Sequence, residues 1–88
     1  MQGDWRDNKL EMTYPSMWGY RVIGFDETEL RRAISEILKD RDYTIAISNT
    51  SSSGKYVSLR VELIVYDETE RMHLYAALRN HRATHLIL

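Results

Sequence analysis

The chain contains no cysteine, which excludes disulfides, thiolate metal sites and thiol nucleophiles together. Charge of a dominant sign is also missing: 12 basic residues against 13 acidic ones leave a formal net charge of −1. Without a basic excess little is available to neutralise a phosphate backbone, so nucleic-acid binding is disfavoured. No apolar run approaches the ~20 residues of a membrane-spanning helix. The first dozen residues are polar and mixed in charge, unlike the apolar core of a secretory leader. No membrane association is expected, and the cytoplasm is the expected compartment. Proline is nearly absent too, with a single residue at position 15, so the elements are not interrupted from within.

Eighty-eight residues, 43% hydrophobic and 28% charged, suit one globular core and are too few for two. A domain of this size buries only about 60–65% of its unfolded surface, so help from a partner, such as a second copy, would be unsurprising. Residues 1–13 have no periodicity and are expected to form a flexible tail, leaving a single domain over residues 14–88.

Within that domain the pattern alternates between strand and helix. Residues 20–25, rich in β-branched and aromatic side chains, read as a first strand with Pro15 ahead of it. Leu30, Ala33, Ile34, Ile37 and Leu38 then form one helical stripe. That helix is expected to end near residues 39–42, where basic side chains suit the helix dipole. Residues 43–48 read as a second strand and 49–55 as a turn. Residues 56–66 read as the third and longest strand, with Val57, Leu59, Val61, Leu63 and Val65 facing a core. A second helix is expected over residues 68–80, with Leu74, Tyr75 and Leu78 on one stripe, and a last strand over 84–88.

Two stretches repeat. "RVIGFDETEL" and "ELIVYDETER" align on a shift of 41 residues, and each carries Asp-Glu-Thr-Glu where a strand gives way to a helix. With Asp26 and Asp67 as N-caps, Glu29 and Glu70 take the third helical positions, the spacing of a capping box. Phe25 is placed to staple onto Leu30, and Tyr66 to receive the stem of Arg71. Capping accounts for all six carboxylates, and positive helix ends discourage a cation; a Mg²⁺ or Ca²⁺ site at this repeat is therefore not expected.

The order β-α-β-β-α-β with internal duplication predicts an α+β, ferredoxin-like domain: a four-stranded antiparallel sheet, order 4-1-3-2, with both helices on one face. The first and third strands are expected side by side and parallel, so that both helix starts open on one edge. The 41-residue shift places Val22 and Gly24 inward, like Leu63 and Val65. Arg21, Ile23 and Phe25 then share the open face with Glu62, Ile64 and Tyr66. Gly24 is expected to let a helix approach closely or to permit a bulge.

"YRVIG" (20–24), "SSSGKYVSL" (51–59), "LYAAL" (74–78) and "HRATHLIL" (81–88) resemble, in order and spacing, the YbeD-like family of small bacterial proteins of unknown function. Where that family commonly has a proline between the second helix and last strand, this chain has "NHRAT". The resemblance implies the same βαββαβ fold, similar to ACT and other small-molecule regulatory domains, and implies no established activity.

For catalysis the inventory is thin. His73, His81 and His85 read as surface and strand residues rather than metal ligands. "SSSGKY" lacks the upstream glycine and the hydroxyl residue after lysine that a P-loop needs. No enzyme activity, metal or cofactor is expected. On the open face, Ile23, Phe25, Ile64 and Tyr66, together with Ala46, Ile87 and nearby Tyr56, suggest an association patch, with Arg21, Arg60 and Glu62 among them. The expected function is a small binding or regulatory module that acts through this face on a protein partner or as a homodimer. The alternative is an ACT-like sensor of a small-molecule ligand held at the strand–helix loops. RNA binding through the two central strands is less favoured, because Glu62 would repel phosphate. The segment Ser51, Ser52, Ser53, Gly54 and Lys55 reads first as a hairpin turn and second as an anion-binding loop.

Overall fold

A computed structural model describes residues 13–50 and 54–88. Its elements are β1 (Ser16–Gly24), α1 (Glu27–Leu38), β2 (Tyr43–Thr50), β3 (Val57–Val65), α2 (Glu68–Asn80) and β4 (Leu86–Ile87). The strands form one four-stranded sheet in the order β2-β3-β1-β4, which is the expected 4-1-3-2 order read from the other edge. The tail expected over residues 1–13 lies outside the described residues apart from Thr13.

Alternation sorts the sheet into two faces. Tyr20 and Val22 of β1 are buried with Val57, Leu59, Val61, Leu63 and Val65 of β3. They form one core with Leu30, Ile34 and Leu38 of α1 and Leu74 and Leu78 of α2. Both helices therefore pack on the same face. Tyr75, expected on the α2 stripe, is exposed and lies outside this core. It borders a hollow instead, with Trp18, Met72 and Leu88.

The expected parallel pairing of β1 with β3 is wrong. The two strands run antiparallel, with Ser16 opposite Val65 and Gly24 opposite Val57. β2 is also antiparallel to β3, so β1 runs parallel to β2 with β3 lying between them. This is how a split β-α-β unit works: the α1 crossover passes over one strand position, which a later antiparallel strand fills. Asp26 follows the Val57 end of the ladder and Asp67 the Ser16 end, so the helix starts lie at opposite ends of the sheet.

β1 begins at Ser16, earlier than the expected residue 20. A nine-residue β3 needs a partner along its length, and Trp18 continues the inward alternation of Tyr20 and Val22. β4 is shorter than expected at Leu86–Ile87, although backbone bonds flank it, His85 N–H to the Ile23 carbonyl at 2.7 Å and Leu88 N–H to that of Arg21 at 2.9 Å. Ile87 does not face the open side as expected. It pairs with inward Val22 and is buried, which turns Leu86 outward by the two-residue period of a strand.

Both N-caps form as expected. The Asp26 side chain accepts from Glu29 N–H at 3.0 Å, and that of Asp67 accepts from Glu70 N–H at 2.7 Å. In the second copy the Glu70 Oε1 also reaches back to the Tyr66 N–H at 2.8 Å. In the first copy Glu29 turns to Arg32 instead, at 3.1 Å. The staples expected beside the caps are replaced: Phe25 lies against His85 with ring centroids 4.6 Å apart, and Arg41, not Arg71, stands over Tyr66. Outward-facing Phe25 cannot follow Leu30 into the core on the sheet's other side. α1 ends at Leu38, with Lys39 at φ 54°, so the basic residues lie past its last turn rather than in it. A Cβ on Gly24 would stand 2.6 Å from the Ala83 carbonyl oxygen and 3.3 Å from the Leu30 Cδ1 of α1. The tightest approach is that of the connection after α2 rather than of a helix, and there is no bulge, since the β1–β3 register is unbroken there.

Candidate functional site

With both helices on one side, the other side of the sheet is uncovered by any described element. Outward positions on β1 are Met17, Gly19, Arg21 and Ile23; on β3 they are Arg60, Glu62 and Ile64. β2 adds Thr44 and Ala46, β4 adds Leu86, and Phe25, Tyr56 and Tyr66 extend the strand ends. Met17, Phe25, Tyr56, Ile64, Tyr66 and Leu86 are all exposed large apolar side chains. Ile23 is half-buried.

The antiparallel register separates the residues that sequence reasoning grouped. Ile23 pairs with Ser58, whereas Ile64 pairs with Met17. Six residues along a strand put the two isoleucines about 20 Å apart. One apolar end therefore comprises Ile23, Phe25, Tyr56, His85 and Leu86, which line a shallow hollow of about 260 Å³. The other holds Met17 and Ile64, beside Tyr43, Thr44, Glu62 and Asp42, around a hollow of about 270 Å³.

Between the ends the face is charged. Arg21 stands opposite Arg60, and Gly19 opposite Glu62. The Arg60 Nε donates to Glu62 at 2.8 Å. Its guanidinium lies over Gly19, where an added Cβ would meet Nη2 at 3.2 Å. Gly19 thus gives the ion pair room to lie flat on the sheet. Ser58 has the parity of the open face, yet it is buried with its hydroxyl unpartnered. A bulge in β2 between Ile47 and Asn49 brings Asn49 opposite it in the ladder.

Tyr66 belongs to a clasp that the sequence did not reveal. Arg41, just beyond α1, binds Glu70 through Nη1 at 2.5 Å and the Ile64 carbonyl through Nη2 at 2.7 Å. Its guanidinium lies 5.5 Å from the centre of the Tyr66 ring. On the helix side, the Tyr20 hydroxyl donates to the Arg71 carbonyl at 2.7 Å. Burial pushes this phenol up to about 12, against the opposing charge of Arg71. Arg71 itself stacks over Trp18, 4.7 Å from the ring centre.

The remaining candidates are dispersed. Gly54 has φ 74°, as a hairpin glycine requires, and Gly54 and Lys55 are exposed. Ser51, Ser52 and Ser53 lie outside the described residues. His81 Nδ1 accepts from the Ala83 N–H at 3.1 Å, so Nε2 carries the hydrogen toward Glu36, 3.0 Å away. His81 ties the end of α2 to α1. Among the described residues no three His, Asp or Glu side chains converge as a metal site would need, and no helix is long and apolar enough to cross a membrane.

Element order, sheet topology and the single helical layer define a small α+β domain of the split β-α-β class. More particularly, the chain belongs to the family described as proteins of unknown function, DUF493, whose model matches residues 9–88. The YbeD-like resemblance is thereby borne out. The chain is 32% identical over 69 residues to an uncharacterised protein of Campylobacter jejuni, a match covering 78% of this chain and 79% of that one. It is 31% identical over 88 residues to a UPF0250 protein of Buchnera aphidicola, covering 94% and 99%. A solution structure of a Helicobacter pylori protein superposes with TM-score 0.79 at 26% identity, over 100% of this chain and 94% of that one. The C-terminal domain of MgtC from Mycobacterium tuberculosis, TM-score 0.61 at 19% identity over 90% and 89% of the two chains, is alike in fold alone.

Proposed function

We propose that this chain is a small non-enzymatic binding module of the cytoplasm that works by docking a protein on its open sheet face. One observation carries the reading. Met17, Phe25, Ile64, Tyr66 and Leu86 are all exposed on one side of the sheet, where a solvated antiparallel sheet favours polar side chains. Scattered exposed apolar residues are ordinary; two groups on one uncovered sheet face are the form an interface takes.

Ile64→Lys tests this reading. Ile64 is 44% exposed and lies outside the core, so thermal stability should change by no more than about 0.5–1 kcal/mol. Capture of a partner protein from a native extract should weaken. Undiminished capture by Ile64→Lys and by Leu86→Lys would remove the sheet face as the working surface. A second reading has one observation in its favour: a hollow of about 350 Å³ at the β1–α1 loop, lined by Phe25, Asp26, Glu29, Arg82 and Ala83. It would suit a small-molecule sensor, for which a rise in melting temperature with a metabolite is the sign.

A further inference from the structure

The middle of the open face holds a charge that no described residue answers. Both backbone groups of Arg21 bond Leu88, its N–H at 3.2 Å and its carbonyl at 2.9 Å. Arg21 and Arg60 therefore face each other across β1 and β3 as a non-hydrogen-bonded pair, the kind whose side chains stand closest. Like charges so placed oppose the sheet. Arg60 is answered by Glu62. Arg21 is exposed and, among the described residues, its guanidinium has no ion pair or hydrogen bond.

We propose that the open face docks a protein segment bringing one carboxylate to Arg21 between two apolar anchors. One anchor seats at the Ile23, Phe25 and Leu86 end, the other at the Met17 and Ile64 end. The inference rests on the sheet-face reading and narrows it to an acidic, amphipathic partner.

Charge complementarity selects this occupant. A second copy would bring the same two guanidiniums and one carboxylate to the middle of the interface, and the surplus positive charge would be buried twice. A buried charge without a partner costs several kcal/mol. One incoming carboxylate balances the set, and a guanidinium binds it through two parallel N–H bonds. RNA fits less well, because Glu62 stands beside Arg21, and a carboxylate there repels a phosphate backbone. Asp42 lies at the rim beside Ile64, so the part of the face that attracts a carboxylate is confined to its middle. Anchors about 20 Å apart match about thirteen residues of helix at 1.5 Å rise per residue.

The test titrates the ¹⁵N-labelled full chain with three synthetic amphipathic helical peptides of about eighteen residues. They carry leucines at both ends and differ only at the centre, which is Glu, Gln or Lys. The Glu peptide should shift the amides of residues 17–25 and 58–66. The Gln peptide should bind about five- to tenfold more weakly, the loss of one charge-assisted contact. Arg21→Glu, with its spectrum otherwise unchanged, should reverse the order and prefer the Lys peptide. Equal binding of the Glu and Gln peptides, or no binding of any at millimolar concentration, overturns the inference. In the first case, loss of both on Ile64→Lys would leave the sheet-face reading standing without its acidic partner. Self-association abolished by Ile64→Lys, or shifts on the same face with a uridine oligonucleotide in place of the peptides, would likewise overturn it.

Discussion

Glu70 and Glu29 occupy the same place in the two copies of the repeat, so replacing each by alanine is a paired experiment with an internal control. Glu29 makes one side-chain ion pair, to Arg32 three residues on in the same helix, with both side chains about half exposed. Such a pair contributes within about 0.5 kcal/mol. The Glu70 carboxylate holds the Tyr66 N–H at 2.8 Å and Arg41 at 2.5 Å, and both ionic partners are under a third exposed. Its removal also leaves Arg41 half-buried beside Tyr66 without its counter-charge. Hydrogen bonds to charged groups contribute about 1.5–3 kcal/mol, so Glu70→Ala should cost about 2–3 kcal/mol. In a domain of this size each kcal/mol moves the midpoint by about 4–8 °C. Glu70→Ala should therefore melt at least about 8 °C below the parent, and Glu29→Ala within a few degrees of it. Urea melts of the single variants, Arg41→Ala and the Glu70→Ala/Arg41→Ala double variant would give the coupling directly. Salt separates the pairs as well, because exposed pairs are screened at 1 M and half-buried ones much less. Equal losses for Glu70→Ala and Glu29→Ala would refute the view that the second copy is a tertiary clasp and the first only a cap.

The difference between the copies marks where the sequence stops being legible. The caps were readable because they are local: Asp, two spacers and Glu after a β-rich run specify their own hydrogen bonds. The β3 core face was readable for the same reason, since strict alternation over residues 57–65 fixes which side each residue faces. Shifting that alternation by 41 residues then oriented β1 correctly. What failed was everything set by non-local register. Like sequences at the two strand ends suggested like placement, yet the β1–β3 pair is antiparallel, and the fold moved the two acidic motifs, and Ile23 and Ile64, to opposite ends of the sheet. Ile87 was misplaced by one residue, which in a strand reverses the face. Met17 and Leu86 belong to the candidate surface and were missed through the strand ends, β1 beginning earlier and β4 reversing its parity. The outward alternation of Met17 with inward Trp18 was the available signal. Arg41 carries none, because its partners Glu70 and Ile64 lie 29 and 23 residues away in the chain.

Two further perturbations probe the packing on which the face depends. Tyr20 is neutral in the fold, and burial raises its phenol to about 12 from the ordinary 10. An acid whose folded pKa is raised contributes stability that is complete below the unfolded value and lost as pH rises from about 10 through about 12. The chain should therefore lose about 1–2 kcal/mol across that window, less than the full equivalent of the shift because the phenol is only partly screened from solvent, measured by urea melts at stepped pH. Tyr20→Phe should flatten this slope while costing about 1 kcal/mol at neutral pH, the hydrogen bond to the Arg71 carbonyl; an unchanged slope would show that other groups drive alkaline unfolding. Gly24→Ala addresses the other end of β1. The added Cβ would meet the Ala83 carbonyl oxygen at 2.6 Å and the Leu30 Cδ1 at 3.3 Å. Leu30 can give a few tenths of an ångström, but the carbonyl belongs to backbone between His81 and the short β4. Those residues are held by Ala83 N–H on His81 Nδ1 and by His85 N–H on the Ile23 carbonyl at 2.7 Å. The methyl must therefore displace the α2–β4 connection, at an overpacking cost of about 1–3 kcal/mol. Displacement there carries His85 and Leu86 away from Ile23 and Phe25, so one apolar end of the open face should be disturbed by a change made on the opposite side of the sheet. Amide hydrogen exchange gives the decisive reading: faster exchange at His85, Leu88 and Arg21, with Val61 and Leu63 still protected. Uniform acceleration across the sheet would mean that the glycine supports global stability alone, and unchanged exchange would mean that the connection yields freely and Gly24 holds nothing in place.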